Sequence, residues 1–190
     1  RVSPGCENCY AERMAARFSG PGGSFDGAIS KHGDGPARWN GNCIMRGEKT
    51  LNKPRTWRKP RRVFVNSMGD LFHEGVQDAW ISKVYDVMAE AHWHTYLVLT
   101  KRPTRMRGWL MANNRGTTNI WHGVTVENQG QDWRIRELRA SGTGIKFVSI
   151  EPMLGEVDLP HGVDWVICGA ETGPGRRAMG IHWARGLRDK

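Results

Sequence analysis

The chain contains 190 residues, enough for one domain, because most domains contain about 100–200 residues. Hydrophobic residues make up 38% of it and charged residues 25%, and this balance excludes a disordered chain. No run of about 18 apolar residues occurs, so we expect no membrane-spanning helix. The four cysteines are irregularly spaced and predict a protein of the reducing cytoplasm instead of a disulfide-stapled one.

The sequence before residue 62 shows little regular pattern. Residues 11–17 predict a short helix, whereas residues 19–39 are rich in glycine and predict a long loop. We therefore interpret residues 20–60 as a loop-rich basic insertion within a single domain that spans residues 1–190.

The net charge of +9 is concentrated in one part of that insertion. Residues 46–62 contain eight Lys or Arg and a single acidic residue, Glu48. Concentrated positive charge with an aromatic residue inside it indicates an anionic partner, with nucleic acid as the usual candidate. The alternative is a solvated basic connector. The candidate nucleic-acid residues are Arg55, Trp57, Arg58, Lys59, Arg61 and Arg62.

From residue 62 onward, apolar β-branched runs alternate with segments of helical spacing. The predicted strands are residues 62–66, 94–100, 119–126, 145–150 and 164–168. The predicted helices are residues 78–90, 103–112, 131–139 and 181–188. This alternation is typical of β-α-β units, so we predict an α/β fold with five parallel strands adjacent in one curved sheet.

Each predicted strand ends in charged or hydroxyl residues, in the segments NSMGD, TKRP, TVEN, SIEP and GAETGPGRR. The carboxyl ends of parallel strands meet at one edge of a sheet, where ligands usually bind. Five polar strand ends at one edge predict a functional site there.

A second signal is Cys6-Glu-Asn-Cys9, in which two thiols one turn apart can bind a single metal centre. The spacing alone fits half a zinc site, a redox pair or one corner of an iron–sulfur site. Cys43 and Cys168 are isolated, and we expect them to be buried structural residues.

Taken together, the segments SPGCENCYAERMA, WRKPRRVFVNSMGDLFHE, HTYLVLTKRPTRM, NIWHGVTVENQ, FVSIEPMLGEVDL and DWVICGAETGPGRRAM carry a resemblance. In this order they resemble a phage- and prophage-borne family of unknown function that is related to radical S-adenosylmethionine (SAM) enzymes. The resemblance covers residues 2–189, with residues 20–52 weakly anchored. Family members carry a further cysteine shortly before the SPGC segment, so the sequence looks like a family core trimmed at its ends.

The resemblance implies a partial parallel (β/α) barrel of the radical SAM type with a 4Fe–4S cluster on three cysteines. Cys6 and Cys9 would be two of the cluster ligands, and the first ligand is absent from this sequence. SAM would bind the remaining iron. We then expect Cys6 and Cys9 to face the same rim as the polar strand ends.

The resemblance also assigns roles along that rim. Tyr10 would lie against the adenine of SAM, and an acid, a base and small polar side chains would bind the other groups of SAM. The expected cofactor-binding residues are Ser67 and Asp70 for the amine, Thr125 and Glu127 for the ribose, Lys101 or Arg102 for the carboxylate, and Gly169 with Glu171 for the adenine end. The alternative is a structural charge network, in which Glu127, Glu151 and Glu171 pair with Lys101, Arg102, Arg176 and Arg177.

The candidate catalytic residues are His73, Asp70 and Glu151, with His73 as a proton donor because imidazole titrates near neutral pH. The predicted function is cleavage of SAM to a 5′-deoxyadenosyl radical that acts on nucleic acid or a nucleobase, in repair or hypermodification of phage DNA. Two alternatives remain. One is a non-enzymatic module that binds zinc or nucleic acid, and the other is a metal-dependent nuclease that uses the rim carboxylates.

Overall fold

Five parallel strands form one curved sheet in the computed structural model, which describes residues 2–31, 35–115 and 117–189. The strands are β3 (Arg62–Val65), β4 (Thr95–Thr100), β5 (Ile120–Thr125), β6 (Lys146–Ile150) and β7 (Trp165–Cys168). They lie in chain order, and every neighbouring pair is parallel. The predicted α/β class and the adjacency of the five strands are confirmed, and the curl of the sheet makes it a half-barrel.

Helices connect the first four of these strands, as the alternation predicts, whereas residues 151–164 join β6 to β7 without a helix. The connecting helices are α4 (Asp78–Glu90), α5 (Pro103–Asn113) and α6 (Trp133–Arg139), and α7 (Ile181–Arg188) follows β7. The helix predicted from residue 131 begins later, because residues 129–131 form a 3-10 turn that Asn128 caps by accepting a hydrogen bond from the Gly130 amide. No helix in the described ranges is long and apolar enough to cross a membrane.

The hydrophobic core lies between the helices and one face of the sheet. Alternate strand residues such as Val98, Val124 and Val148 point toward Ile81 of α4 and the other helices. Within this core the Tyr85 hydroxyl lies 2.8 Å from Nε2 of His122. Burial lowers the pKa of His122 to about 4, so this histidine is a neutral core residue.

The other strand residues form the inner face of the half-barrel. Phe64 of β3 and Phe147 of β6 lie on it, with their ring centroids 6.5 Å apart although their strands are not neighbours. Gly123 makes room for the Phe147 ring, because a Cβ at this position would lie 2.4 Å from Cζ of Phe147.

The region before β3 is more ordered than the sequence predicts. It contains α1 (Tyr10–Arg17), a two-stranded antiparallel ribbon of β1 (Ile29–Ser30) and β2 (Arg38–Trp39), and the short helices α2 (Glu48–Leu51) and α3 (Lys53–Thr56). Glu12 of α1 holds the ribbon, because its carboxylate accepts from Nη1 of Arg38 at 2.7 Å and from the Trp39 amide at 3.0 Å. The prediction of a long loop over residues 19–39 is therefore wrong for the ribbon, which a distant carboxylate stabilises.

Candidate functional site

Residues 3–9, which we call the cysteine segment, lie on the carboxyl-terminal rim of the half-barrel. Residues Pro4–Cys6 form a 3-10 turn in which the Cys6 amide donates to the Ser3 carbonyl at 2.9 Å. The Ser3 hydroxyl donates to the carboxylate of Glu127, which follows β5. Asn8 donates to Oε2 of Glu171, which follows β7, at 3.0 Å. Two strand ends thus bind the segment that carries the C-x-x-C motif.

Close packing between Gly5 and Glu127 makes this contact specific. A Cβ at Gly5 would lie 2.6 Å from Oε1 of Glu127 and 3.0 Å from Cδ of Pro152. No side chain fits in that space, so only glycine lets the backbone of the cysteine segment approach the rim this closely.

Glu127 is the centre of a buried charge network. Its side chain is fully buried, and Oε1 accepts from both Ser3 and the Lys101 ammonium. Oε2 accepts from Nη1 of Arg134 at 3.1 Å, and the same nitrogen donates to the Thr125 carbonyl at 2.7 Å. Arg134 on α6 is itself 1% exposed. Burial removes the hydration of such a carboxylate, and the two cations compensate for that loss.

Glu171 forms the second anchor of the cysteine segment. Arg177 donates to it from the backbone amide at 2.8 Å and from the guanidinium, and reaches the Pro4 carbonyl at 2.9 Å and Glu7 at 3.0 Å. The hydrogen bonds from Arg177, helped by Asn8, outweigh burial and hold the pKa of Glu171 down at about 2. The predicted alternative of a structural charge network thus describes the geometry of Glu127 and Glu171.

The Cys6 thiol interacts electrostatically with the Lys101 ammonium. Burial alone raises the pKa of this thiol, but the Lys101 ammonium and hydrogen bonds with Val2 and Ser3 outweigh burial, and the net pKa lies below its ordinary value. A lowered pKa favours the thiolate, which is the form that binds metals. Cys9 is the residue before α1, and both thiols are free.

Several of the side chains predicted to bind the cofactor or to act in catalysis are exposed to solvent at the rim. Tyr10 is 52% exposed, and Ser67 is exposed in the turn after β3. Glu151 is exposed as well, with one contact from the Ser149 hydroxyl at 3.3 Å. Gly169 lies against this carboxylate, since a Cβ there would be 2.6 Å from Oε1 of Glu151.

Asp70 is not open. Oδ1 accepts from the Phe72 amide at 3.0 Å and from the Thr100 hydroxyl at 2.7 Å, and Oδ2 accepts from the Lys101 amide at 3.0 Å and from Arg102 at 3.1 Å. A carboxylate offers about four acceptor sites, so the sites of Asp70 are occupied. The amine of SAM would have to displace one of these donors, and Asp70 acts here as the residue that ties the ends of β3 and β4 together.

His73 lies beside Asp70 but faces a cysteine. Its Nδ1 is 3.2 Å from Sγ of Cys43 and accepts from the Gly75 amide at 3.0 Å, so this nitrogen carries no proton. Arg102 bonds Glu74 through Nε at 2.7 and 2.8 Å, and these bonds lower the pKa of Glu74. The proton-donor role predicted for His73 therefore depends on Nε2.

The two isolated cysteines differ from their prediction in burial. Cys43 is half-buried, and burial raises the pKa of its thiol. Cys168 is exposed, so the prediction of a buried structural residue is wrong for it. The reason is its place at the end of β7, the edge strand, whose outer edge has no partner strand among the described residues.

Residues 55–62, which we call the basic segment, lie at the opposite end of the sheet. The Arg61 carbonyl accepts from the Thr95 amide at the start of β4, so residues 58–62 border the amino-terminal ends of the strands. The four residues of β3 separate them from the rim by about 13 Å. Nucleic acid bound to this segment would not reach the cysteines without extending along the sheet.

The cations of the basic segment differ in whether they form an ion pair. Arg55 lies 2.7 Å from Glu90, whereas the exposed residues Arg58, Lys59, Arg61 and Arg62 have no ion-pair partner in the described part of the chain. Trp57 is half-buried, with the Arg61 guanidinium 4.7 Å above its ring and His94 5.6 Å away. Its ring is already covered by protein, so Trp57 is less available to a base than the sequence predicts.

Sequence reasoning missed three residues that fix the cysteine segment at the rim, two of which belong to the segment itself. Ser3 and Asn8 lie far along the chain from their partners Glu127 and Glu171, and nothing local marks them, whereas Arg134 is seven residues from Glu127. Arg134 sits in an amphipathic helix where an arginine is normally at the surface. The single available signal was the glycine in the SPGC segment, which a close backbone approach explains.

Comparison with known proteins identifies the family and nothing more specific. The family described as "Protein of unknown function (DUF5131)" matches residues 1–190, and the chain belongs to that family. No curated protein and no solved structure matches the chain. The expected membership in a family of unknown function is confirmed, and the radical SAM relationship remains a prediction.

Proposed function

We propose that this member of the DUF5131 family is a radical SAM-like enzyme that acts on nucleic acid or a nucleobase. The observation that carries the proposal is the docking of the C-x-x-C segment onto the carboxyl-terminal rim of a parallel half-barrel, through Glu127 and Glu171. Ligands of such sheets bind at that rim, so a metal centre on Cys6 and Cys9 would adjoin the region where a cofactor binds.

The donor set fits a 4Fe–4S cluster in kind and supplies two of its ligands. Thiolates are the usual ligands of such clusters, and the lowered pKa of Cys6 suits that role. Within residues 2–31, 35–115 and 117–189, no group of three Cys, His, Asp or Glu residues could hold a metal ion. The proposal therefore requires a third thiolate from outside the described residues. When reduced, such a cluster supplies the electron that cleaves SAM to a 5′-deoxyadenosyl radical.

The open groups at the rim define how SAM would be bound. Glu151 is the exposed carboxylate with most of its acceptor sites free, and it is suited to the amine of SAM. Ser67 offers a free hydroxyl, and Tyr10 an exposed ring. In this arrangement Asp70, Lys101 and Arg102 hold the strand ends and Glu127 holds the cysteine segment, so they act as positioning residues.

The nucleic-acid partner is supported by the exposed cations at residues 58–62, which have no acidic partner in the described part of the chain. The nuclease alternative has less support. A catalytic divalent metal needs free carboxylate oxygens, and those of Asp70, Glu127 and Glu171 accept hydrogen bonds from neighbouring side chains and amides.

The test is iron and acid-labile sulfide content of the full-length protein purified without oxygen. We expect a brown protein with iron and sulfide bound, and we expect Cys6→Ser and Cys9→Ser to lose both. Cys43→Ser is the matched control, because its thiol faces His73, and it should retain iron. Colourless protein with stoichiometric zinc would support the binding-module alternative, and Mg²⁺-dependent nicking of DNA without SAM would support the nuclease.

A further inference from the structure

The inner face of the half-barrel carries a continuous row of aromatic rings. The ring centroids of Phe64 and Phe147 are 6.5 Å apart, those of Phe147 and Trp165 are 5.9 Å apart, and those of Trp165 and Trp121 are 5.9 Å apart. We call these four residues the aromatic row. The proposed SAM site uses none of them.

The aromatic row is partly buried and partly open. Phe147 is fully buried at its centre, whereas Phe64 is 42% exposed and Trp165 is 36% exposed. Large apolar side chains on a sheet are usually covered, and two exposed rings that flank a buried one form an apolar surface of the kind that marks a binding site. The Phe147 ring is held in place, because it lies against Gly123.

Positive charge continues from one end of this surface. Arg62 precedes Phe64 by two residues on β3, and both are exposed while Val63 and Val65 pack into the core. Arg62 therefore points to the same side of the sheet as Phe64. The exposed cations of residues 58–61 lead directly to it along the chain. The other end of the surface carries an acidic residue, Asp164, which precedes Trp165. Its carboxylate accepts a hydrogen bond from the Lys146 amide at 2.7 Å.

Exposed rings beside uncompensated cations favour one kind of partner over the others. A protein partner would match an apolar surface but would leave several cations unpaired unless it were strongly acidic. A single-stranded nucleic acid satisfies both features, because its phosphates pair with the cations and its bases stack on the rings. Double-stranded nucleic acid has its bases stacked internally and would leave the rings uncovered.

We propose that single-stranded nucleic acid binds with its phosphates along Arg58–Arg62 and with bases stacked on Phe64 and Trp165. This inference rests on the nucleic-acid half of the proposed function and specifies its binding surface. The strand would then cross the inner face from β3 to the edge strand β7.

The test is the affinity of the full-length protein for fluorescein-labelled oligothymidylate of about 12 nucleotides. Phe64→Leu and Trp165→Leu keep an apolar side chain and remove the aromatic face, and each should weaken binding about 5- to 100-fold without changing the salt dependence. Phe64→Tyr restores an aromatic ring and should bind like the parent. An abasic oligomer of the same length should bind the parent as weakly as oligothymidylate binds the leucine variants.

Phe18→Leu is the matched control, since Phe18 is an exposed ring, 54% accessible, at the end of α1. It should bind oligothymidylate like the parent. If the parent binds and both leucine variants bind as tightly, the stacking surface is wrong and the proposed function is untouched. If the parent binds neither oligothymidylate nor a duplex, the nucleic-acid half of the proposed function fails. Should Phe64→Leu not fold, Trp165→Leu on the edge strand decides the matter.

Discussion

The two ends of the half-barrel use charge in opposite ways. At the carboxyl-terminal rim, the charges of Glu127, Arg134 and Glu171 are buried and paired within the protein. At the amino-terminal end, Arg58 and Lys59 are exposed and have no ion-pair partner in the described ranges. Buried pairs hold a segment in place, because breaking one leaves an uncompensated charge. Exposed cations contribute little to stability and remain available to a partner.

The largest expected effect is at Glu127. Glu127→Ala leaves Arg134 buried without its carboxylate, and we expect the free energy of unfolding to fall by about 3–5 kcal/mol. Urea denaturation measures this change. Glu156→Ala is the control, because Glu156 is 77% exposed and its substitution should change stability by less than about 0.5 kcal/mol. Equal effects of the two substitutions would show that the rim network is not stabilising.

Gly5 tests how the cysteine segment is bound to the rim. Gly5→Ala places a methyl group 2.6 Å from Oε1 of Glu127, so we expect a loss of about 1–3 kcal/mol and displacement of the segment. The displaced Cys6 thiol should react faster with a disulfide reagent. Gly20→Ala is the matched control, since a Cβ at Gly20 meets nothing within 4 Å. Unchanged reactivity of Cys6 in Gly5→Ala would contradict the close contact.

Glu171 predicts a pH dependence of stability. Its pKa of about 2 in the folded protein lies below the value of about 4.3 in an unfolded chain. The charged carboxylate therefore stabilises the fold above about pH 4.3, and this contribution is lost as the pH falls toward about 2. Glu171→Gln should lower stability at neutral pH and flatten this part of the pH profile. Thermal unfolding between pH 2 and 7 measures both, with the exposed Glu156→Gln as the reference that leaves the profile unchanged.

Substitutions in the basic segment should have the smallest effect on stability. They should change the affinity for nucleic acid instead. Replacing Arg58, Lys59 and Arg62 together with alanine should change the free energy of unfolding by less than about 0.5 kcal/mol each. It should reduce the log–log dependence of oligothymidylate affinity on salt by about two, because each phosphate contact contributes about 0.7.

A triple variant of paired cations gives the matched control for that change. Arg107, Arg115 and Arg136 each lie within 3.2 Å of an acidic residue, at Glu137, Asp86 and Asp132. Replacing the three arginines with alanine removes the same charge but should leave the salt dependence nearly unchanged. If both triple variants flatten it equally, net charge and not the unpaired segment determines binding.

Local pattern was sufficient to predict the sheet and its order. The apolar run over residues 62–66 and the helical spacing over residues 78–90 arise from contacts between near neighbours, and both elements are present. From β3 to β6 a helix joins each strand to the next one, and connections of this kind between parallel strands are right-handed. Polar residues after these strands were accordingly predicted to share a rim, and Asp70, Glu127 and Glu171 do so.

The amino-acid sequence thus determined the α/β half-barrel, the shared rim and the cluster of positive charge. Tertiary structure alone decided which of those charges are used within the protein, because pairing depends on distances between residues far apart in the chain. Ser3 meets Glu127 across 124 positions, and Asn8 meets Glu171 across 163. The same holds for the basic segment, whose position opposite the cysteines follows from the direction of β3 and from no feature of its own residues.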